Sequence, residues 1–184
     1  VDENERAGHT GVSLWAGRTN LNDTAIGIEI VNKAGYANGK MIFPLFNDNQ
    51  VDAVKELALN IIQRYPDMSP TNIVGHSDIA IGRKSDPGAA FPWKKLYDTG
   101  IGAWYEEEIK QKYMEQFKNK IPAKTEIVKK LKSYGYDVSQ AANNSDYTKL
   151  IRAFQLHFRQ SNYDGIIDVE TVAILYALVE KYFS

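Results

Sequence analysis

At 184 residues, with 43% apolar side chains, the chain is long enough to bury one medium core and a smaller second one. Its 22 basic and 23 acidic side chains leave a net charge of −1, which excludes the basic surplus of a nucleic-acid binder and the acidic surplus of a solvating tail. With no cysteine, a disulfide framework and an all-thiolate zinc centre are excluded too, while the compartment stays open.

No apolar run approaches the length that spans a bilayer. The opening Val1-Asp2-Glu3-Asn4-Glu5-Arg6 is neither an initiator methionine nor a secretory leader, so further residues are expected upstream. The first element is a predicted strand over 24–31, where Ile26, Ile28 and Ile30 alternate with Gly27, Glu29 and Val31. Residues 32–38 form a turn region, with Gly35 and Gly39 close by. Asn47 or Asp48 can then cap a helix whose face is Val51, Val54, Leu57, Ala58, Ile61 and Ile62, and Pro66 and Pro70 end it. Ile73-Val74 reads as a short buried strand finishing at Gly75-His76, and 77–92 as a loop carrying Gly82, Pro87, Gly88 and Pro92.

Residues 101–117 predict a Glu- and Lys-rich helix, with a linker at 119–122. Beyond Pro122 the pattern changes to three short helices. The first runs over 126–134 and the second over 147–158. The third is capped by Asp168 after the Asp164-Gly165 turn. The expectation is therefore an α/β domain over 1–118, a mixed central sheet flanked by helices, followed by a small three-helix bundle over 119–184.

The chemistry concentrates in the loop after Val74, which reads Gly75-His76-Ser77-Asp78-Ile79-Ala80-Ile81-Gly82-Arg83-Lys84-Ser85-Asp86-Pro87-Gly88. His76 at a strand end and Asp86 on the returning loop can serve one borderline metal, zinc by preference, with Lys84 beside it. Alone, a histidine at a strand end is more often structural. Glu29 interrupts an otherwise apolar or small strand, and Gly27 leaves room beside it. An exposed strand face explains it equally well. If Glu29 faces His76 and Asp86, the set becomes metal, carboxylate base and ammonium, a hydrolase constellation.

The strand Asn22-Asp23-Thr24-Ala25-Ile26-Gly27-Ile28-Glu29 and the loop of 75–88 together closely resemble the N-acetylmuramoyl-L-alanine amidase 2 family, which is related to T7 lysozyme and the peptidoglycan recognition proteins. The likeness covers roughly residues 1–100. It implies that His76 and Asp86 are Zn2+ ligands, that Glu29 is the catalytic carboxylate and that Lys84 stabilises the transition state. It also implies hydrolysis of the amide between N-acetylmuramic acid and L-alanine. His9 is expected to line the substrate cleft, with Arg83, and Arg18 to stand in for an arginine that many relatives carry where this chain has Asn20. The family's third zinc ligand, a histidine on an early strand, has no match here, and Gly8 replaces a frequent tryptophan.

Residues 151–159 and 164–171 resemble a three-helix peptidoglycan-binding domain, which would tether the enzyme to the wall. Peptidoglycan and muropeptides are thus the expected partners, with no nucleic acid. The same order of parts is found in periplasmic, outer-membrane lipoprotein amidases. A lipid anchor upstream of residue 1 and a monomer, with or without an associated N-terminal fragment, are expected on that likeness. The competing expectation is a peptidoglycan-binding module without catalysis. Trp15, Trp93 and Trp104 could stack on sugars, although a core position is commoner for tryptophan. His157 reads as packing or surface.

Overall fold

The computed structural model describes residues 2–184. Two antiparallel hairpins come first: β1 (Leu14–Trp15) with β2 (Arg18–Thr19), and β3 (Gly35–Ala37) with β4 (Lys40–Ile42). Helix α1 (Asp48–Arg64) follows, then α2 (His76–Ile79), α3 (Trp93–Tyr97), α4 (Glu107–Phe117), α5 (Lys124–Tyr134), α6 (Asn144–Phe158) and α7 (Val169–Phe183). Each hairpin turns on residues that tolerate a positive φ. Ala16 and Gly17 (47° and 78°) close the first, Asn38 and Gly39 (50° and 73°) the second.

Helix α1 starts as its sequence dictates. The Asn47 side chain accepts from the Asn49 backbone N–H at 2.9 Å, and the Gln50 side chain accepts from Asn47 N–H at 3.3 Å. Val51, Val54 and Ile61 are buried, whereas Leu57 is 46% exposed, so the packed stripe is narrower than the apolar one. Asp168 accepts from Thr171 N–H at 2.9 Å and caps α7, and Asn143 caps α6 in the same way through Ser145 N–H.

The α/β class holds, but sheet pairing is confined to the two hairpins among the described residues. The segment 24–31 has no strand partner there. Its alternation survives as chemistry: Ile30 packs on the core, while Ile26 and Ile28 stay 42% and 36% exposed beside an open cavity. A strand is defined by a neighbour that takes its N–H and C=O groups, and periodicity alone cannot supply one. The expected strand at 73–74 is likewise replaced. Pro70–Asn72 makes a 3-10 turn with Ser69 accepting from Thr71 N–H, and the chain then enters α2 directly at His76.

The helix expected over 101–117 begins only at Glu107. Ile101, Ala103 and Trp104 precede it as buried, non-helical chain. Trp104 N–H donates to Tyr182 Oη, and that hydroxyl donates back to the Trp104 carbonyl, both at 3.2 Å. These side-chain partners replace helical bonds at that residue. Helix α4 packs mainly on α7, which also receives α5. Helix α7 is buried nearly all round, from Thr171 to Val179, as its almost unbroken apolar sequence requires. One buried cluster runs from Trp15 and Leu21 through Phe91 and Trp93 to Phe154, Phe158 and Leu178. All three tryptophans belong to it. No helix among the described residues is long and apolar enough to cross a membrane.

Candidate active site

Helix α2 is a single turn, and His76 is its first residue. The imidazole is only 17% exposed and meets an acceptor at each nitrogen: Asp86 Oδ2 lies 2.9 Å from Nδ1, and the Thr10 carbonyl lies 3.1 Å from Nε2. A neutral imidazole has one N–H to give. When Nε2–H donates to Thr10, the Nδ1 lone pair is left facing a carboxylate. A shared cation resolves that confrontation, and the two donors, imidazole nitrogen and carboxylate oxygen, suit zinc. Two such donors are what these residues bring; no group of three His, Cys, Asp or Glu capable of holding a metal occurs among the described residues.

The pair is held by backbone. Ser77 N–H donates to the Asp86 carbonyl at 2.9 Å, closing the loop onto the start of α2. Gly75 is required there, since a Cβ would stand 2.9 Å from Pro87 Cδ. Arg83 ties one guanidinium nitrogen to the backbone: Nη2 donates to the Thr10 carbonyl at 2.6 Å and to the Val12 carbonyl at 2.7 Å. Thr10 is thereby gripped by Arg83 and His76 together.

Asn22 holds the other side of that segment. Its Oδ1 accepts from His9 N–H (2.9 Å), Thr10 N–H (2.8 Å) and Thr10 Oγ1 (2.9 Å). His9 Nδ1 donates to the Ala7 carbonyl at 2.9 Å, and Nε2 is buried without a partner. The ring rests against Gly27, where any Cβ would collide with it.

A cavity of about 1530 Å³ gathers His76, Asp86, Glu29, His9, Arg18 and Arg83 on its lining. Glu29 is exposed there. Lys84 and Asn20 are not on that lining. Lys84 N–H, like that of Arg83, bonds the Ala80 carbonyl in a turn, and its side chain is exposed. Asn20 takes a left-handed conformation (φ 54°) ahead of the 3-10 turn Leu21–Asp23 and is also exposed.

Sequence reasoning passed over Asp78. It is fully buried, and its carboxylate accepts three bonds: Gly75 N–H and His157 Nδ1 on Oδ2 (both 2.7 Å) and Tyr136 Oη on Oδ1 (2.7 Å). A carboxylate three residues after Gly75 and followed by Ile79 and Ala80 is the available signal, because that spacing returns it to the backbone N–H preceding a helix.

The family model described as N-acetylmuramoyl-L-alanine amidase matches residues 1–89, which contain both motifs. AmiD of Escherichia coli K12 is 43% identical over 184 residues, covering 99% of this chain and 66% of AmiD. The crystal structure of AmpDh3 from Pseudomonas aeruginosa with anhydromuramic pentapeptide superimposes with a TM-score of 0.95 at 54% identity, over 99% of this chain and 72% of that one. The chain belongs to the N-acetylmuramoyl-L-alanine amidase family. The structure of E. coli AmiD with anhydro-N-acetylmuramic acid-L-Ala-D-gamma-Glu-L-Lys agrees, with a TM-score of 0.91 at 42% identity over 99% of this chain and 71% of that one. The shared length includes α5 to α7, so the likeness extends well past the 89 residues of the family match. The chain nevertheless spans just under two thirds of AmiD.

Proposed function

We propose that the protein hydrolyses the amide between the lactyl group of N-acetylmuramic acid and L-alanine in peptidoglycan or muropeptides. The observation that carries this is the His76–Asp86 pair, two acceptor-confronted donors that share a cavity with Glu29 inside the region matched by the amidase family. His76 and Asp86 would hold zinc. Bound there, zinc supplies Lewis-acid polarisation of the scissile carbonyl and a more acidic water.

Glu29 takes the proton of the attacking water on a carboxylate oxygen and delivers it to the leaving amine nitrogen of L-alanine. Lys84 neutralises the oxyanion, its flexible stem turning toward the cavity when substrate is bound. Arg18, on the cavity lining, meets the stem-peptide carboxylate. His9 forms a wall against the sugar side, kept in place by Asn22 and Gly27. The helical region 119–184 adds affinity for the wall by tethering.

A second reading, a peptidoglycan-binding module without catalysis, is favoured by one observation. The described residues offer two metal donors where catalytic zinc takes three from the protein. Metal analysis separates the two. Catalysis predicts about one zinc per folded full-length protein and loss of amide cleavage in Glu29→Ala by a factor of about 10² or more. A folded protein that binds muropeptide, holds no zinc and cleaves nothing would support the module instead.

A further inference from the structure

Helix α6 joins the common core and packs directly against α2, the turn that begins with His76. Three of its side chains and C-terminal neighbours reach into the loop that carries His76, Lys84 and Asp86. His157 Nδ1 donates to Asp78 Oδ2 at 2.7 Å, Arg152 Nη1 donates to Ser85 Oγ at 3.0 Å, and Gln160 Nε2 donates to the Phe91 carbonyl at 2.6 Å. Tyr136, on the segment between α5 and α6, adds its hydroxyl to Asp78 Oδ1. Every part of the loop, its start, middle and end, is thus tied to the helical region.

The Asp78 contact is the most demanding of these. Asp78, His157 and Tyr136 are 0%, 3% and 2% exposed. A carboxylate at that depth is retained only with its oxygens satisfied. Here the donors are one backbone N–H two atoms from the His76 residue and two side chains from beyond residue 135. The His157 ring is itself immobilised between Trp93 and Phe158, stacked at 3.9 Å on each. Tyr136 is fixed edge-on to Trp15 at 4.9 Å, and Ala16 N–H donates to the Gly135 carbonyl at 2.8 Å. A rigid set of donors therefore fixes the one-turn helix on whose first residue the proposed metal donor His76 sits.

We propose that His157 and Tyr136 are positioning residues for the amidase centre, acting through Asp78 to set the orientation of His76. The inference rests on the amidase reading for its kinetic arm, but its structural arm stands apart from it. The helical region then serves the site directly as well as the wall. Removing it would disorganise the chemistry on soluble muropeptides too.

The test compares Tyr136→Phe, His157→Leu and His157→Asn in the full-length protein, with Leu175→Ala as a destabilised control in α7. Tyr136→Phe deletes a single oxygen and carries the test should His157→Leu not fold. Positioning predicts that kcat on a soluble muropeptide falls about tenfold or more in Tyr136→Phe and His157→Leu, with KM changed less than about twofold. His157→Asn keeps an N–H near the Nδ1 position and should recover most of the loss. Leu175→Ala should lower Tm and keep the kcat of the folded protein.

The second readout is the His76 ring in 1H–15N imidazole spectra, which three histidines keep simple. Its resonances should move in Tyr136→Phe and His157→Leu, and hold in Leu175→Ala. Unchanged His76 resonances with wild-type kcat, alongside a lowered Tm, would overturn the proposal and leave a purely structural core. A wild-type protein that cleaves nothing would count against the amidase reading alone; the His76 resonances would then decide this proposal by themselves.

Discussion

Asn22 is half-buried, yet one oxygen of its amide organises the approach to the cavity. Three donors from His9 and Thr10 converge on Oδ1. Asn22→Ala strands those donors, so unfolding in urea should show a loss of about 1–3 kcal/mol, and Asn22→Asp, which keeps the acceptor, should lose less. His9 depends on the same anchor, and the absence of a side chain at Gly27 is what lets its ring sit where it does. Residues of this kind were only partly legible. His76 and Glu29 stand out because a polar group at the end or in the middle of an apolar run demands a reason, Asp86 because it lies on the loop returning toward His76, and the structure brings all three to one cavity. Asn22, by contrast, lies in a polar stretch where asparagine is unremarkable, and only the fold shows that it faces His9 and Thr10. Arg83 was expected to meet substrate. It stands on the cavity lining with one nitrogen bonded to the Thr10 and Val12 carbonyls, and no sequence rule reports which backbone oxygens a long side chain will find.

Elements whose signals are local were legible, and those that need a distant partner were not. Helix α1 carries its own start in Asn47 and Gln50 and its own stripe in Val51, Val54 and Ile61, so sequence and structure agree. Asn47→Ala should lower stability by about 1 kcal/mol in thermal or urea unfolding, and Asn47→Asp should be close to neutral. The three C-terminal helices are legible from their apolar stripes for the same reason, and Asp168 marks the start of the last. Residues 24–31 and 73–74 were read as strands on burial and alternation, but a ladder also requires neighbours with the right register, which alternation does not supply. The short helix α2 was hidden inside what reads as loop, since a single turn has no period to detect. Its stabilisation comes from Asp78 and the tertiary donors around it.

At the scale of the whole molecule, one buried cluster links the hairpin β1–β2, the loop of 75–91 and the helical bundle. Tyrosines mark its depth. Burial holds the Tyr136 and Tyr134 hydroxyls well above the ordinary value of 10.0, and the negative charge of Asp78 adds to the effect in both. Tyr113 is pushed up to about 12, by burial first and then by its hydrogen bond to the Glu180 carboxylate. A phenol whose folded value is raised contributes stability that is fully present below the unfolded value and is lost as pH rises through the folded one. Absorbance titration at alkaline pH should therefore show a late phase from the buried phenols. Tyr113 should ionise at about 12, and Tyr134 and Tyr136 well above the ordinary phenol value, together with loss of helical circular dichroism. A single smooth phase for all tyrosines in a folded protein would contradict the buried network.

Mass spectrometry of the products reads the reaction itself. Full-length protein incubated with an anhydromuramyl peptide should yield two fragments, the free muramic sugar and a peptide beginning with L-alanine, each carrying one element of the water added. Glu29→Gln should give neither while its folding and muropeptide binding persist. Cleavage at any other bond, or the same two fragments from Glu29→Gln at the wild-type rate, would contradict the assignment of this cavity as the amidase centre.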